Sequence, residues 1–212
     1  MRIAIIGAGH LGTTLARLLV DAGHDVAVAN SRGPQTLRDL EEDLGDHGRT
    51  VTTEEAARFG DVVVAAIPFG RYRDLPADEL AGKTVVDTTN YRRQRDGSVP
   101  ELDDERNITS SELVQHHLKS AHVVKAFNAM QWDHLRAYAN EGRADQRYGI
   151  PVSGDDPDAK QQVCDLIEQL GFEPVDAGSL AEGGRRHQPG TAVYGADLWG
   201  EDLRALIGTE SS

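Results

Sequence analysis

Cysteine is nearly absent from this chain: Cys164 is the only one in 212 residues. That excludes an intramolecular disulfide framework and a cysteine-rich metal site, and makes a reducing cytoplasm the expected setting. Long apolar runs are missing too. The longest, Ile3–Ile6 and Val62–Ile67, fall far short of the ~20 residues a membrane-spanning helix needs. The start, Met1–Gly7, leaves no room for a signal peptide before the first motif, so none is expected, and the short apolar runs make a membrane an unexpected partner. Positive charge is scarce. Lys and Arg total 22 against 35 Asp and Glu, a net charge of −13. Such a surface repels phosphate backbones, and nucleic acid is not an expected partner. The histidines are scattered. The adjacent pair His116 and His117 would point about 100° apart on a helix, a poor geometry for chelation, so no metal site is expected. There is no G-x-S-x-G elbow and no evident Cys/His nucleophile pair.

What is present is alternation. Short apolar runs recur at 2–6, 25–29, 61–67, 84–87, 122–126, 147–152 and 173–176, with a further short one near 50–52. Continuous apolar runs of this length suit parallel strands covered on both faces. Helical patterns lie between them. Leu11, Leu15, Leu18, Leu19 and Ala22 share one helical face, and Gly23 stops that helix. Asp156-Pro157 opens another, with Val163, Cys164, Ile167 and Leu170 as its apolar face. The prediction is an α/β fold: a Rossmann-type doubly wound, mostly parallel sheet with a small C-terminal α/β segment. Residues 1–212 read as a single domain in which 127–212 form the small C-terminal cap. Residues 91–109 read as a long polar loop. Residues 177–201, rich in glycine, read as a second loop able to fold over a site.

Gly7-Ala8-Gly9-His10-Leu11-Gly12 fits G-x-G-x-x-G in the right context, after a strand and at the start of a helix. Gly7 permits the tight turn, Gly9 lets the backbone approach a pyrophosphate, and Gly12 lets helix and strand pack closely. The helix start offers N–H groups and a positive dipole end to the anion. The second strand ends Ala29-Asn30-Ser31-Arg32-Gly33-Pro34. The acidic residue that would accept from an NAD ribose is absent. Ser31 and Arg32 can instead bind a 2′-phosphate, which favours NADP(H). A helix starting near Pro34 would add a positive end there.

Ligands of open α/β sheets bind beyond the carboxyl ends of the strands. Those ends carry Ile67-Pro68-Phe69, Thr88-Thr89-Asn90-Tyr91 and Ala126-Phe127-Asn128. They should converge near a nicotinamide ring, with Ile67, Pro68, Asn90, Ala126, Phe127 and Asn128 as cofactor-binding candidates. They offer apolar walls and amides but no evident acid–base pair, as suits hydride transfer. No residue is assigned a catalytic role.

Taken together, Gly7–Gly12, Asn30-Ser31-Arg32, Ala66-Ile67-Pro68, Val123–Asn128, Pro151–Asp156 and Val175–Gly178 resemble the coenzyme F420-dependent NADP oxidoreductases. The same domain type forms the cytoplasmic part of the six-transmembrane metalloreductases. The resemblance runs from Met1 to about Ala177. It implies NADPH bound along Gly9, His10, Leu11, Ser31, Arg32, Ile67 and Pro68. It also implies a second redox partner stacked near the nicotinamide: a deazaflavin in the archaeal members, a flavin (FMN or FAD type) in the metalloreductases. Homodimers are common in the family. Phe127-Asn128-Ala129-Met130 departs from the archaeal pattern and lies closer to the metalloreductases. The expected function is therefore hydride transfer between NADP(H) and coenzyme F420 or a flavin, a small-molecule acceptor. A non-catalytic NADP(H) sensor is the alternative, as is a reductase of a small carbonyl or imine. The last would need a proton donor such as Tyr91, Lys125 or His187. Arg185, Arg186 and His187 form the one late basic cluster, expected to meet an acidic tail on the acceptor.

Overall fold

The computed structural model describes residues 1–103, 108–139 and 146–209. Among these, eight strands form one sheet: β1 (Arg2–Ile6), β2 (Asp25–Ala29), β3 (Gly48–Thr50), β4 (Val62–Ala65), β5 (Thr84–Asp87), β6 (His122–Lys125), β7 (Gly149–Gly154) and β8 (Glu173–Gly178). Their order is β3-β2-β1-β4-β5-β6-β7-β8. Every neighbouring pair is parallel except β6 and β7. The helices are α1 (His10–Asp21), α2 (Arg38–Leu44), α3 (Thr53–Phe59), α4 (Arg93–Asp96), α5 (Pro100–Asp103), α6 (Ser110–His117), α7 (Trp132–Tyr138), α8 (Pro157–Gln169), α9 (Gly183–Arg186) and α10 (Gly200–Thr209).

Strand residues alternate between two apolar cores because successive side chains leave opposite faces. Ile3, Ile5, Val26, Val28, Val62 and Val64 pack with Leu15 and Leu19 of α1, Leu40 of α2 and Ile167 of α8. Ala4, Ile6, Val63 and Ala65 face the other way, onto Ala56 of α3, Phe69 and Val114 of α6. Helices thus cover both faces, and each buried Ile or Val contributes about 1.5–3 kcal/mol. A third cluster, with Val175, Ala177, Leu203 and Ile207, seats α10 on β8. The C-terminal segment continues the same sheet: Val124 and Lys125 of β6 pair with Gly154 and Ser153 of β7.

Two expectations are corrected. The short strand near 50–52 lies at Gly48–Thr50, where Val26 pairs with Gly48. Gly48 fixes that position, since a Cβ there would lie 2.1 Å from the Leu44 Cβ at the end of α2. The stretch expected to be a loop from 91 to 109 carries α4 and α5 and leads into α6, whose Thr109–Glu112 capping box fixes its start. Residues 104–107 lie outside the described residues. Four-residue helices are too short to print a periodicity on the sequence. Among the described residues, no helix is long and apolar enough to cross a membrane.

Candidate functional site

β1 lies between β2 and β4, so the connections leave its carboxyl end in opposite directions and open a crevice there. The three glycines of the loop after β1 behave differently. Gly7 has φ +118°, and a Cβ on it would lie 2.2 Å from the Ala66 carbonyl oxygen. Its N–H donates to Ala29 O at 2.8 Å. A Cβ on Gly12 would lie 1.9 Å from the Gly7 oxygen. A Cβ on Gly9 would meet nothing within 4 Å. Gly7 and Gly12 are therefore required by packing. Gly9 faces open space, which is what backbone approach by a bulky ligand needs. α1 starts at this point with no side-chain cap and no acidic residue in its first turn. Thr52, Thr109 and Asp156, by contrast, cap α3, α6 and α8. The first N–H groups of α1 are left for an anion.

Two adjoining cavities follow the crevice. The first, about 300 Å³, is bordered by Gly7, Asn30, Ser31, Arg32 and Arg71. The second, about 610 Å³, is bordered by His10, Leu11, Thr88, Thr89, Asn90 and Arg95. Gly9, Ala66, Ile67 and Pro68 border both. Both volumes fall within the ~300–1,000 Å³ of ligand clefts. At the first end, Asn30 shapes the loop. Its Oδ1 accepts from Arg32 N at 2.9 Å and its Nδ2 donates to Thr36 Oγ1 at 3.0 Å. The Arg32 carbonyl accepts from Gln35. Ser31 and Arg32 are exposed on this fixed backbone. The helix expected near Pro34 is only a 3-10 turn, Pro34–Thr36; α2 begins at Arg38. Charge at this end therefore comes from Arg32 itself and from Arg71, which is ion-paired with Asp74.

The second end rests on a fully buried ion pair. Lys125 and Asp87 are 1% and 0% exposed, with Nζ 3.7 Å from Oδ2. Ser111 joins them, donating to Asp87 at 2.5 Å and accepting from Lys125 at 2.9 Å. Burial lowers the Lys125 pKa, opposed by Asp87. Desolvating such a pair costs several kcal/mol per ion, and only good geometry offsets it. The geometry here serves the segment after β5. The Thr89 N–H donates to Asp87 and its carbonyl accepts from Lys125.

Ala126, Phe127 and Asn128 are buried and border neither cavity. Phe127 has φ +59°, a left-handed turn that costs a non-glycine residue about 1–3 kcal/mol. It directs Asn128 onto Asn90, which does border the second cavity. Phe69 is fully buried and stacked on Tyr72, so it belongs to the core and not to the cleft wall.

His187 corrects the expectation of a basic surface cluster: it is fully buried. Its Nδ1 meets Asn128 Oδ1 at 2.8 Å and its Nε2 meets Ser153 Oγ at 2.8 Å. Burial, and then the nearby Lys125 charge, hold its pKa well below the usual value, so it is uncharged. The spacing resembles a hydrolytic relay, but Ser153 is fully buried and no substrate reaches it. Arg186 donates to the Ala177 carbonyl at 3.0 Å. Tyr91, another donor candidate, bonds to Gly97 O and Asp103, away from both cavities. Cys164 is half-buried, and burial pushes its thiol up to about 11. Sequence reasoning missed Thr53, Arg71, Arg92 and Arg95 at the cleft edge, and the stacking of His10 on Trp132 at 4.7 Å. Nothing in the sequence pairs His10 with a residue so distant. Among the described residues no group of three or more His, Cys, Asp or Glu could hold a metal ion.

Comparison with known proteins agrees with this geometry. The family model for NADP oxidoreductase, coenzyme F420-dependent, matches residues 2–91. A hypothetical protein from Sinorhizobium meliloti is 32% identical, with TM-score 0.82 over 93% of this chain and 95% of that one. A proposed F420-dependent NADP reductase from Arthrobacter sp. FB24 is 28% identical, with TM-score 0.70 over 84% and 85%. Metalloreductase STEAP3 of Rattus norvegicus is 30% identical over 192 residues, 85% of this chain and 34% of that protein. The chain spans about a third of the length of the curated relatives it matches. The glycine loop, the open Gly9 face and the strand ends that border the crevice all lie within or beside residues 2–91, the part of the chain that matches the coenzyme F420-dependent NADP oxidoreductase family.

Proposed function

We propose that this protein transfers a hydride between NADP(H) and a planar acceptor, with coenzyme F420 as the first candidate and FMN or FAD as the second. The observation that carries the reading is the pair of adjoining cavities, with Arg32 at one end and Thr88–Asn90 at the other, joined at Gly9. The open face of Gly9 and the uncapped start of α1 fit a pyrophosphate. Ser31 and Arg32 would hold the 2′-phosphate, Arg32 through its planar fork. When bound, NADPH supplies the hydride.

The chain's own groups bind, orient and shield. Ile67 and Pro68 form an apolar wall at the junction of the two cavities and would shield a ring bound against them from water on that side. Asn90, held by Asn128, presents an amide to the second cavity. Arg92 and Arg95 stand at its rim and give an anionic acceptor a local positive edge on a chain of net charge −13. None of Tyr91, Lys125 or His187 borders either cavity, so a carbonyl reductase using one of them as proton donor finds no support. A homodimer is part of the same reading, checked by light scattering.

The test is stopped-flow mixing of protein and NADPH with oxidised F420, FMN and FAD in turn, following loss of NADPH absorbance. Fast oxidation with F420 supports the first candidate, and with flavins alone the second. NADPH binding without turnover of any of the three overturns the acceptor assignment and favours a sensor.

A further inference from the structure

Thr89 borders the second cavity beside Asn90 and is 3% exposed. Its hydroxyl makes no hydrogen bond among the described residues. The adjacent Thr88 is satisfied, donating to Ala65 O at 3.0 Å. The backbone of Thr89, in contrast with its side chain, is doubly fixed. Its N–H donates to Asp87 Oδ1 at 2.9 Å and its carbonyl accepts from Lys125 Nζ at 3.0 Å. The fully buried charge pair of this protein thus holds one residue in place while leaving that residue's oxygen unpaired. Nothing in the packing asks for a hydroxyl there, since valine has the same branched shape. A buried, unpaired hydroxyl carries a desolvation penalty, and native folds seldom tolerate one without a reason.

We propose that the Thr89 hydroxyl is a ligand contact of this cleft, donating to a carbonyl or carboxamide oxygen on the planar ring bound beside Asn90. The proposed contact uses the staggered χ1 position that puts the hydroxyl, and not the methyl, on the cleft side. The inference rests on the proposed function, under which two rings offer such an oxygen: the nicotinamide carboxamide and the ring carbonyl of a deazaflavin or flavin.

The experiment compares the intact protein with Thr89→Val, which removes only the oxygen, and Thr89→Ser, which keeps it. Ligand-free Thr89→Val is expected to melt at the same temperature as the native protein or higher, because the hydroxyl it loses has no partner. If the contact is the carboxamide, the Kd for NADPH rises about tenfold, the loss of one hydrogen bond. The Kd for 2′-phospho-ADP-ribose, which lacks nicotinamide, stays unchanged. If the contact is the acceptor's carbonyl, the Kd for NADPH stays and the KM for oxidised F420 or FMN rises by about the same factor. With no acceptor turned over, the NADPH arm alone decides. Thr89→Ser should restore the native constants. A clearly lower melting temperature for ligand-free Thr89→Val, or unchanged constants throughout, overturns the inference. A native protein that fails to bind NADPH overturns the proposed function and this inference with it, whereas normal NADPH binding by all three proteins together with an unchanged acceptor KM overturns the inference alone.

Discussion

Asn128 and Asn90 are locked to each other by two hydrogen bonds. Asn128 Nδ2 donates to Asn90 Oδ1 at 3.0 Å, and Asn90 Nδ2 donates to the Asn128 carbonyl at 2.9 Å. Asn128 Nδ2 also donates to the His187 carbonyl at 2.7 Å, and its Oδ1 takes the proton of His187 Nδ1. Each amide therefore has one orientation that satisfies every partner. Asn128→Ala leaves Asn90 Oδ1 and both His187 groups unpaired. Urea unfolding should show a loss of about 2 kcal/mol or more. The kcat should fall, with little change in NADPH affinity, because Asn90 loses its support while the phosphate contacts remain.

The glycines of the first loop predict opposite phenotypes. A Cβ on Gly12 collides with the Gly7 oxygen, whereas one on Gly9 meets nothing within 4 Å. Gly12→Ala should lower the melting temperature sharply. Gly9→Ala should melt like the native protein and yet lose NADPH binding, since the methyl occupies the space a pyrophosphate needs. Differential scanning fluorimetry with and without NADPH separates the two.

Arg32 should set cofactor preference. It is exposed, and its backbone is fixed by Asn30 and Gln35. Hydrogen bonds to a charged group contribute about 1.5–3 kcal/mol. Arg32→Ala should therefore weaken NADPH binding by roughly 10- to 150-fold and leave NADH binding unchanged, as fluorescence titration would read.

His187 should make stability pH-dependent. Burial lowers its pKa from the model-compound value of 6.5, so the folded chain holds the ring neutral. Above about pH 6.5 both folded and unfolded chains carry neutral imidazole, and its contribution is fully present. As the pH falls below that value the unfolded chain takes up a proton that the folded chain does not. Stability should then drop by up to about 1.4 kcal/mol per pH unit until the folded pKa is reached. His187→Gln should be less stable near neutrality and show a shallower decline in melting temperature in acid.

The sheet was legible in the sequence because both of its faces are buried. Ile3–Ile6 and Val62–Ala65 are buried without a break, so their apolar runs are unbroken too. The dinucleotide turn was legible because Gly7 and Gly12 answer steric demands that no other residue meets. Less visible were features that depend on distant partners. Arg185-Arg186-His187 looks like a charged surface run, yet Asn128 and Ser153 draw His187 inside. Asp87, Ser111 and Lys125 are separated in the chain and become one buried cluster only through the pairing of β5 with β6 and the packing of α6. α4 and α5 are single turns held by bonds from residues outside them, such as Gly70 N to Asp96 and Tyr91 to Asp103, and neither presents an apolar stripe to be read.

The central claim is that the crevice between β1 and β4 takes NADP(H) through its 2′-phosphate. Isothermal titration of the native protein with NADPH and with NADH tests it most directly. The account predicts that NADPH binds at least about tenfold more tightly, the value of one charge-assisted contact at the Ser31–Arg32 end. Equal affinities, or no binding of either nucleotide, would contradict it.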